Sequence, residues 1–415
     1  MKARIMENEK MKTAVCWHKQ EGGLPVNGSL PKIPASEYPM RWQKVQDVLK
    51  AQNLDALLAY ADDRFTYGAA YARYFGNLPV AFEPALVLFA PGETPRLLTG
   101  PETIGYASEV GSIPEIRVLS EFAAESEDYP FTRLLPLRDA VSECVRHEVR
   151  RIGLAGKALM GAEVYEAIRS AFPGAEFVKA DPALDGMRGV KSPSELEVIR
   201  YAYHLANLGM EAAIRAVRPG VSEREIAAEA EYVMRKNGGE GTGIDSIVVS
   251  GPNTRHILGR TTTRAVAQND LVVITLAPRY EGYHGACARC VVVGNPGEMV
   301  VESVKAGIKA QQTCGALLKP GKPGREVEAV GRRIMTEAGY GENFLYSGLH
   351  SVGVIEFEPP ILGPSSDAVL EENMVISIDI PLFEADIFGS RTEDGYIITA
   401  GGAEKLTTAE YLIFR

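Results

Sequence analysis

The stretch that most constrains this 415-residue chain runs from Asp270 to Arg289, with the sequence DLVVITLAPRYEGYHGACAR. Its first part, Leu271 to Leu276, is an apolar and β-branched run, which predicts a buried strand. A turn over residues 279–282 follows, and residues 283–293 read as a second strand. The stretch therefore predicts a hairpin in the interior of the protein.

Ionisable side chains surround this hairpin in segments that read as strands or strand ends. They are His256, His350, Glu358, Asp379 and Glu393. Histidines and carboxylates that converge from several buried strands are typical of one polar site. The sequence therefore predicts a single active or binding site that includes the hairpin.

Composition excludes several classes of function. The formal net charge is -10, and no lysine or arginine run is long enough to follow a phosphate backbone, so we expect no nucleic-acid partner. No apolar run approaches the roughly 20 residues that span a bilayer, and the first residues have no apolar signal region. The five cysteines are odd in number and scattered, which favours reduced thiols and a cytoplasmic protein.

The chain divides into three regions. Residues 1–37 have little periodicity and several glycines and prolines, which predicts an arm rather than a domain. Residues 38–188 alternate strands with helices, which predicts an α/β domain. Residues 189–415 begin with a helix whose capping box is Ser192 and Glu195, and they end in strands, which predicts an α+β domain.

A weak internal repeat lies within the second domain. Residues 214–220, a helix and a strand lead to His256, and residues 317–321, a helix and a glycine-rich stretch lead to His350. Each half thus delivers one histidine. The repeat predicts a pseudo-symmetric domain with its site between the halves.

Several ordered motifs resemble those of the pita-bread family, which includes aminopeptidase P, prolidase, methionine aminopeptidase and creatinase. The motifs are GxN…H at Gly251, Asn253 and His256, the hairpin, GLHSVG, EPP, MVISIDI and RTEDGYIIT. The resemblance covers about residues 190–410, and residues 40–185 resemble the creatinase/prolidase N-terminal domain. It implies an α/β N-terminal domain, an α+β pita-bread domain and a homodimer.

The resemblance also implies where metal ligands would lie in a peptidase of this family. The histidine falls on His350, one glutamate on Glu393 and the other on Asp379, whereas the two aspartates fall on Thr275 and Ala286. Two remaining carboxylates balance one divalent ion, not a pair. A dinuclear site is therefore not expected. A single ion on His350, Asp379 and Glu393 stays open as an alternative.

Creatinase, a metal-independent member that cleaves a C–N bond, also resembles a peptidase without both aspartates. Carried over, the resemblance implies His256 as the acid/base, with Glu358 and Glu393 facing a cationic substrate. The residues then expected to line the substrate site are His350, Asp379, His284 and Phe357. Phe357 stands where creatinase has a second histidine, and Ala288 where it has a glutamate, so creatine itself is not the expected substrate.

The leading prediction is a creatinase-like, metal-independent hydrolase of a C–N bond in a small nitrogenous compound. It needs no cofactor, and it acts as a cytoplasmic homodimer with no membrane or nucleic-acid partner. Two alternatives remain open at this point. One is an Xaa-Pro peptidase-like enzyme with a single metal ion, and the other is a non-catalytic binding member of the family.

Overall fold

The computed structural model describes residues 30–64, 68, 70–125, 127–385 and 388–415. Its helices are α1 Glu37–Ala51, α2 Ala70–Gly76, α3 Ile104–Val110, α4 Leu137–Ser142, α5 Ala162–Ala171, α6 Asp181–Gly189, α7 Pro193–Ala216, α8 Glu223–Lys236, α9 Glu298–Leu317 and α10 Gly324–Glu337. The strands of the N-terminal half are β1 Ala56–Ala61, β2 Ala85–Phe89, β3 Arg96–Thr99, β4 Glu115–Val118, β5 Arg151–Ala155 and β6 Glu176–Lys179. Those of the C-terminal half are β7 Gly241–Thr242, β8 Ile247–Ser250, β9 Leu271–Leu276, β10 Pro278–Tyr280, β11 Tyr283–His284, β12 Cys287–Val292, β13 Gly348–Ser351, β14 Glu358–Ile361, β15 Val375–Ala385, β16 Phe388–Thr399, β17 Gly402–Lys405 and β18 Leu412–Phe414.

The N-terminal domain is built on a mixed sheet with the strand order β4-β3-β2-β1-β5-β6. Strand β1 lies at its centre, antiparallel to β2 and parallel to β5. Every residue of β1 is buried, because helices and loops cover both faces of the sheet. The predicted α/β domain is therefore confirmed. The predicted arm over residues 1–37 lies mostly outside the described residues.

The C-terminal domain is a strongly curved antiparallel sheet packed against two helix pairs. Its strand order is β14-β13-β15-β16-β12-β9-β8, with β17 and β18 added to β16 and β12. Helices α7 and α8 pack together, as do α9 and α10, so each half of the predicted repeat supplies one helix pair. Ser192 and Ser222 each form the capping box that the sequence predicts. This architecture confirms the pita-bread fold.

The predicted hairpin is also confirmed, with one interruption. Strands β9 and β12 pair over their whole length, but the returning strand breaks between His284 and Cys287. Gly285 lies against the backbone of Ala202 in α7, and a Cβ at this glycine would approach that backbone to 2.7 Å. The close approach of the helix therefore bends the chain at this point.

Buried polar contacts join the two domains. Arg41 in α1 donates to the backbone oxygen of Tyr74 at 2.7 Å and to the hydroxyl of Tyr283 at 3.0 Å. Tyr283 in turn donates to Glu195 in α7 at 2.8 Å. None of the helices within residues 30–64, 70–125, 127–385 and 388–415 is long and apolar enough to cross a membrane.

Candidate metal centre and active site

A row of side chains crosses the middle of the C-terminal sheet. Glu393 of β16 lies opposite Asp379 of β15 on one side and opposite Ala288 of β12 on the other, and Ala288 lies opposite Thr275 of β9. Directly opposite residues in antiparallel strands point to the same face. The row therefore places two carboxylates side by side, while the hairpin adds only a methyl group and a hydroxyl.

His350 of β13 reaches the same face from the next strand. It lies opposite Ser377, two residues from Asp379 along β15. Its Nδ1 is 2.9 Å from the backbone oxygen of Ser351, and a carbonyl oxygen can only accept, so Nδ1 carries the proton. The lone pair of Nε2 therefore faces Glu393, whose Oε1 is 4.0 Å away. Burial lowers the pKa of His350 to about 4, so the ring is neutral at pH 7.

Glu356 completes a cluster of three ligand-type side chains. His350, Glu356 and Glu393 are all buried, and each offers one ligand atom within 4.8 Å of the others. The Nε2 atom of His350 and the Oε2 atom of Glu393 have no hydrogen-bond partner. Burial raises the pKa of Glu393 to about 8, an effect that the nearby Arg391 opposes. Across the described residues, no other group of histidines, cysteines and carboxylates converges in this way.

This cluster has the donor set of a metal site. Three ligand-type atoms that converge in a buried place suit a bound cation, because two carboxyl groups and a neutral imidazole bring lone pairs together there. One imidazole nitrogen and two carboxylates suit a divalent transition metal such as Zn²⁺, Mn²⁺ or Fe²⁺. The residues fit one ion. Thr275 and Ala286, which stand at the aspartate positions of the motif, supply no carboxylate for a second ion.

Asp379 is not among the three converging side chains, so this structure does not assemble the expected ligand set of His350, Asp379 and Glu393, and that set stays a prediction. Arg391 donates from Nε and Nη2 to the two oxygens of Asp379, at 2.9 and 2.8 Å. Tyr346 donates to the same carboxylate at 3.0 Å. An aspartate is one methylene shorter than a glutamate, and here its carboxylate is taken by these donors. Glu356 is instead the third side chain of the converging group.

Glu358, predicted to face a cationic substrate, lies in an ion-pair network instead. Its Oε1 is 3.1 Å from Nζ of Lys191, and its Oε2 is 3.1 Å from Nε of Arg188. All three side chains are buried. Both oxygens are thus occupied by cations of the chain itself, and the residue joins α6 and the segment after it to strand β14.

His256, the predicted acid/base, lies in a 3₁₀ turn over Gly251–His256. Its side chain is 65% exposed, and its Nδ1 is 3.6 Å from a carboxylate oxygen of Glu384. The structure does not bring it into the three-residue cluster. Its catalytic role stays a prediction.

Phe357 and His284, both expected to line the substrate site, lie in two different cavities. The ring of Phe357 packs on that of His350 with a centroid distance of 4.1 Å. It lines a cavity of about 870 Å³, the cluster cavity, together with Tyr346, Glu356 and Arg391. His284 is buried in a separate cavity between the domains. The substrate-binding roles expected for both stay predictions.

Sequence reasoning missed two residues of this site, Glu356 and Arg391. Arg391 precedes Glu393 by two residues on one strand, so the two side chains share a face, and that spacing could have indicated it. Glu356 precedes β14 and reaches the cluster through an irregular segment, which no strand periodicity describes.

The fold and this donor set define a two-domain pita-bread protein with a metal-type site. Residues 197–400 match the family described as metallopeptidase family M24, and residues 41–190 match the creatinase/prolidase N-terminal domain. A relative from Pyrococcus furiosus named Xaa-Pro dipeptidase is 32% identical over 298 residues, which are 72% of this chain and 84% of the relative. The chain belongs to metallopeptidase family M24.

Solved structures agree with this assignment. The prolidase from Pyrococcus horikoshii superposes with a TM-score of 0.77 at 27% identity, over 90% of this chain and 99% of that one. The X-Pro aminopeptidase from Thermotoga maritima gives 0.76 at 27% identity, with the same two coverages.

These comparisons correct two predictions. A creatinase-like, metal-independent function is wrong, because the relatives are named Xaa-Pro dipeptidases. The prediction that the protein needs no cofactor is also wrong, because the family is one of metallopeptidases. The broader prediction, a hydrolase that acts on C–N bonds, agrees with a peptidase family, since a peptide bond is a C–N bond.

Proposed function

We propose that this chain is a peptidase that cleaves short peptides at the bond before proline, with one divalent ion held by His350, Glu356 and Glu393. The observation that carries the proposal is the convergence of three buried ligand atoms within 4.8 Å, two of which lack any hydrogen-bond partner. The Xaa-Pro dipeptidases among the relatives support the choice of substrate.

Hydrogen bonds to neighbouring groups orient the side chains of the cluster for binding a cation. Ser377 donates to Oε1 of Glu393 at 2.8 Å, which fixes the orientation of the carboxyl group beside His350. The Nδ1–H of His350 is held by the backbone oxygen of Ser351, which fixes the tautomer and the ring plane. Two carboxylates balance the charge of one divalent ion. Such an ion, when bound, polarises a carbonyl oxygen and acidifies water.

Arg391 supplies a second positive charge at the edge of the cluster. Its Nη2 is 3.5 Å from Oε2 of Glu393, and its Nη1 is buried without a partner. Because Arg391 also lines the cluster cavity, we propose that Nη1 donates to an oxygen of the bound peptide. A guanidinium stays charged throughout the accessible pH range, so this donor is always available.

The cluster cavity also has an apolar wall. Phe357, Leu258 and Ile247 are among the residues that line it. A proline ring presents only CH₂ groups at its edge, so such a wall gains free energy by covering it. The pairing of a cationic donor with an apolar wall fits the carboxylate and ring of a C-terminal proline.

The test is the release of proline from Ala-Pro by protein that has been stripped with a chelator and then titrated with Mn²⁺, Co²⁺ or Zn²⁺. Hydrolysis should depend on the added ion, and Glu356→Gln should abolish it. Glu372→Gln is the matched control, because Glu372 is exposed and outside the site. Full activity in the stripped protein, or no cleavage of any Xaa-Pro dipeptide with any of these ions, would refute the proposal.

A further inference from the structure

A second cavity, of about 630 Å³, lies between the two domains and adjoins the cluster cavity. We call it the interdomain cavity. Arg73 and Tyr106 line it from the N-terminal domain, and Arg279 and His284 from the C-terminal domain. Ile244 and Asp245 line both cavities, so a single loop separates them.

His284 is a buried hydrogen-bond acceptor in this cavity. Its Nδ1 is 3.0 Å from the backbone oxygen of Gly353, which can only accept, so Nδ1 carries the proton. Nε2 is therefore a bare lone pair, and it has no partner in the protein. Burial also lowers the pKa of His284 to about 3, so the ring is neutral at pH 7. A buried acceptor without a donor is costly unless a ligand supplies one.

Gly243 brings this acceptor close to the metal cluster. A Cβ on Gly243 would lie 2.7 Å from Nε2 of His284 and 3.1 Å from Cβ of Glu356. The ring of His284 and the base of Glu356 thus reach the same point beside the loop between the two cavities. Gly243 therefore lies between His284 and Glu356, in the loop that separates the two cavities.

We propose that the interdomain cavity binds the amino end of the substrate, and that His284 Nε2 accepts a hydrogen bond from its free α-amino group. The identity of the substrate rests on the proposed function. The proline nitrogen of an Xaa-Pro dipeptide carries no hydrogen, so the terminal amino group is the only backbone N–H donor that the substrate has. His284 is then a specificity-determining residue that selects dipeptides with a free amino terminus.

Two probes of nearly the same shape test this role. Ala-Pro carries the amino group, and propionyl-proline lacks it. The ratio of kcat/KM for the two is measured with the metal-loaded wild type, with His284→Asn and with His284→Gln. An asparagine amide can still donate to Gly353 but offers no acceptor at the Nε2 position, whereas a glutamine oxygen reaches that position. His147→Asn, at an exposed histidine of the N-terminal domain, is the control.

The wild type should prefer Ala-Pro, and His284→Asn should lower that preference by about tenfold, the effect of one lost hydrogen bond. His284→Gln should keep most of the preference, and His147→Asn all of it. An equal preference in the wild type and in His284→Asn would overturn the proposal. So would a wild type that cleaves both probes equally well, a result that needs no variant to fold.

Calorimetric binding of the same two probes separates this proposal from the proposed function. If the wild type cleaves neither probe, the proposed function fails. Tighter binding of Ala-Pro than of propionyl-proline, lost in His284→Asn, would still support the role of His284. Equal binding of the two probes, or binding of neither, would overturn it.

Discussion

Arg391 donates two hydrogen bonds, of 2.9 and 2.8 Å, to the carboxylate of Asp379, and both side chains are buried. A paired arrangement of this kind is stronger and more directional than a single ionic contact. It keeps Asp379 with Arg391, although Asp379 lies directly opposite Glu393 in the sheet. The metal-type cluster therefore takes its second carboxylate from Glu356.

We expect Asp379→Asn to lower the free energy of unfolding by about 3–5 kcal/mol, because it leaves the charge of Arg391 buried without its main partner. Urea unfolding measures the change. Combining Asp379→Asn with Arg391→Met should restore part of the loss, since the unpaired charge is then gone. The control is Asp367→Asn, which removes an exposed partner of Arg325. A loss no larger than that of the control would contradict the prediction.

The purified protein should bind about one divalent ion per chain, because the two carboxylates of the cluster balance the charge of one such ion. Glu356→Gln should weaken binding more than about 100-fold, because it removes a ligand rather than an outer contact. Equilibrium dialysis followed by mass spectrometry of the metal checks both. Two tightly held ions in the wild type, or unchanged binding in Glu356→Gln, would show that the cluster has been assigned wrongly.

The buried, neutral His284 should make the protein less stable in acid. Burial lowers its pKa to about 3, whereas the unfolded side chain titrates near its ordinary value, so the unfolded state binds the proton first as the pH falls. Its contribution to stability is present above about pH 6.5 and is lost progressively toward pH 3. Between pH 7 and pH 5 the loss is about 2 kcal/mol.

The comparison is between urea unfolding of the wild type and of His284→Asn at these two pH values. The variant lacks the titrating group, so its stability should fall by about 2 kcal/mol less over the same interval. The exposed His147→Asn serves as the control for a general effect of losing a histidine. Parallel profiles for the wild type and His284→Asn would contradict this prediction.

Glu358→Gln should lower the stability of the protein, whereas the kcat of the folded variant should change little. It leaves the buried Arg188 and Lys191 without their common carboxylate, which should lower the free energy of unfolding by about 3 kcal/mol or more. The measurements are urea unfolding and kcat on protein shown to be folded. A variant as stable as the wild type but without turnover would instead restore the catalytic role predicted from the motif.

The sequence predicted the elements well where local chemistry specifies them. The run Leu271–Leu276 forms a buried strand because apolar, β-branched residues suit one, and Ser192 with Glu195 forms the capping box because the two side chains lie three residues apart. The ordered motifs also placed His350 and Glu393 in one site. These predictions depend on nearest neighbours or on strand alternation, which the linear sequence contains.

The ion-pair partners of the charged residues could not be predicted from the sequence in this way. His350, Asp379 and Glu393 were expected to form one set, yet Asp379 pairs with Arg391. Glu358 pairs with Arg188 and Lys191, which lie at the boundary between the two domains. Which cation meets which carboxylate depends on differences of a few ångströms between strands and helices that are distant in sequence.

By itself the sequence determined the two-domain architecture, the hairpin and the loss of carboxylates at Thr275 and Ala286, because residue type and spacing are enough for each of these. Only the tertiary structure decided that Glu356 joins His350 and Glu393, and that His284 presents a lone pair in a cavity between the domains. The physical reason is that ligand geometry and buried hydrogen bonding are set by contacts across the fold, whereas strand and helix formation are set mainly by neighbours along the chain.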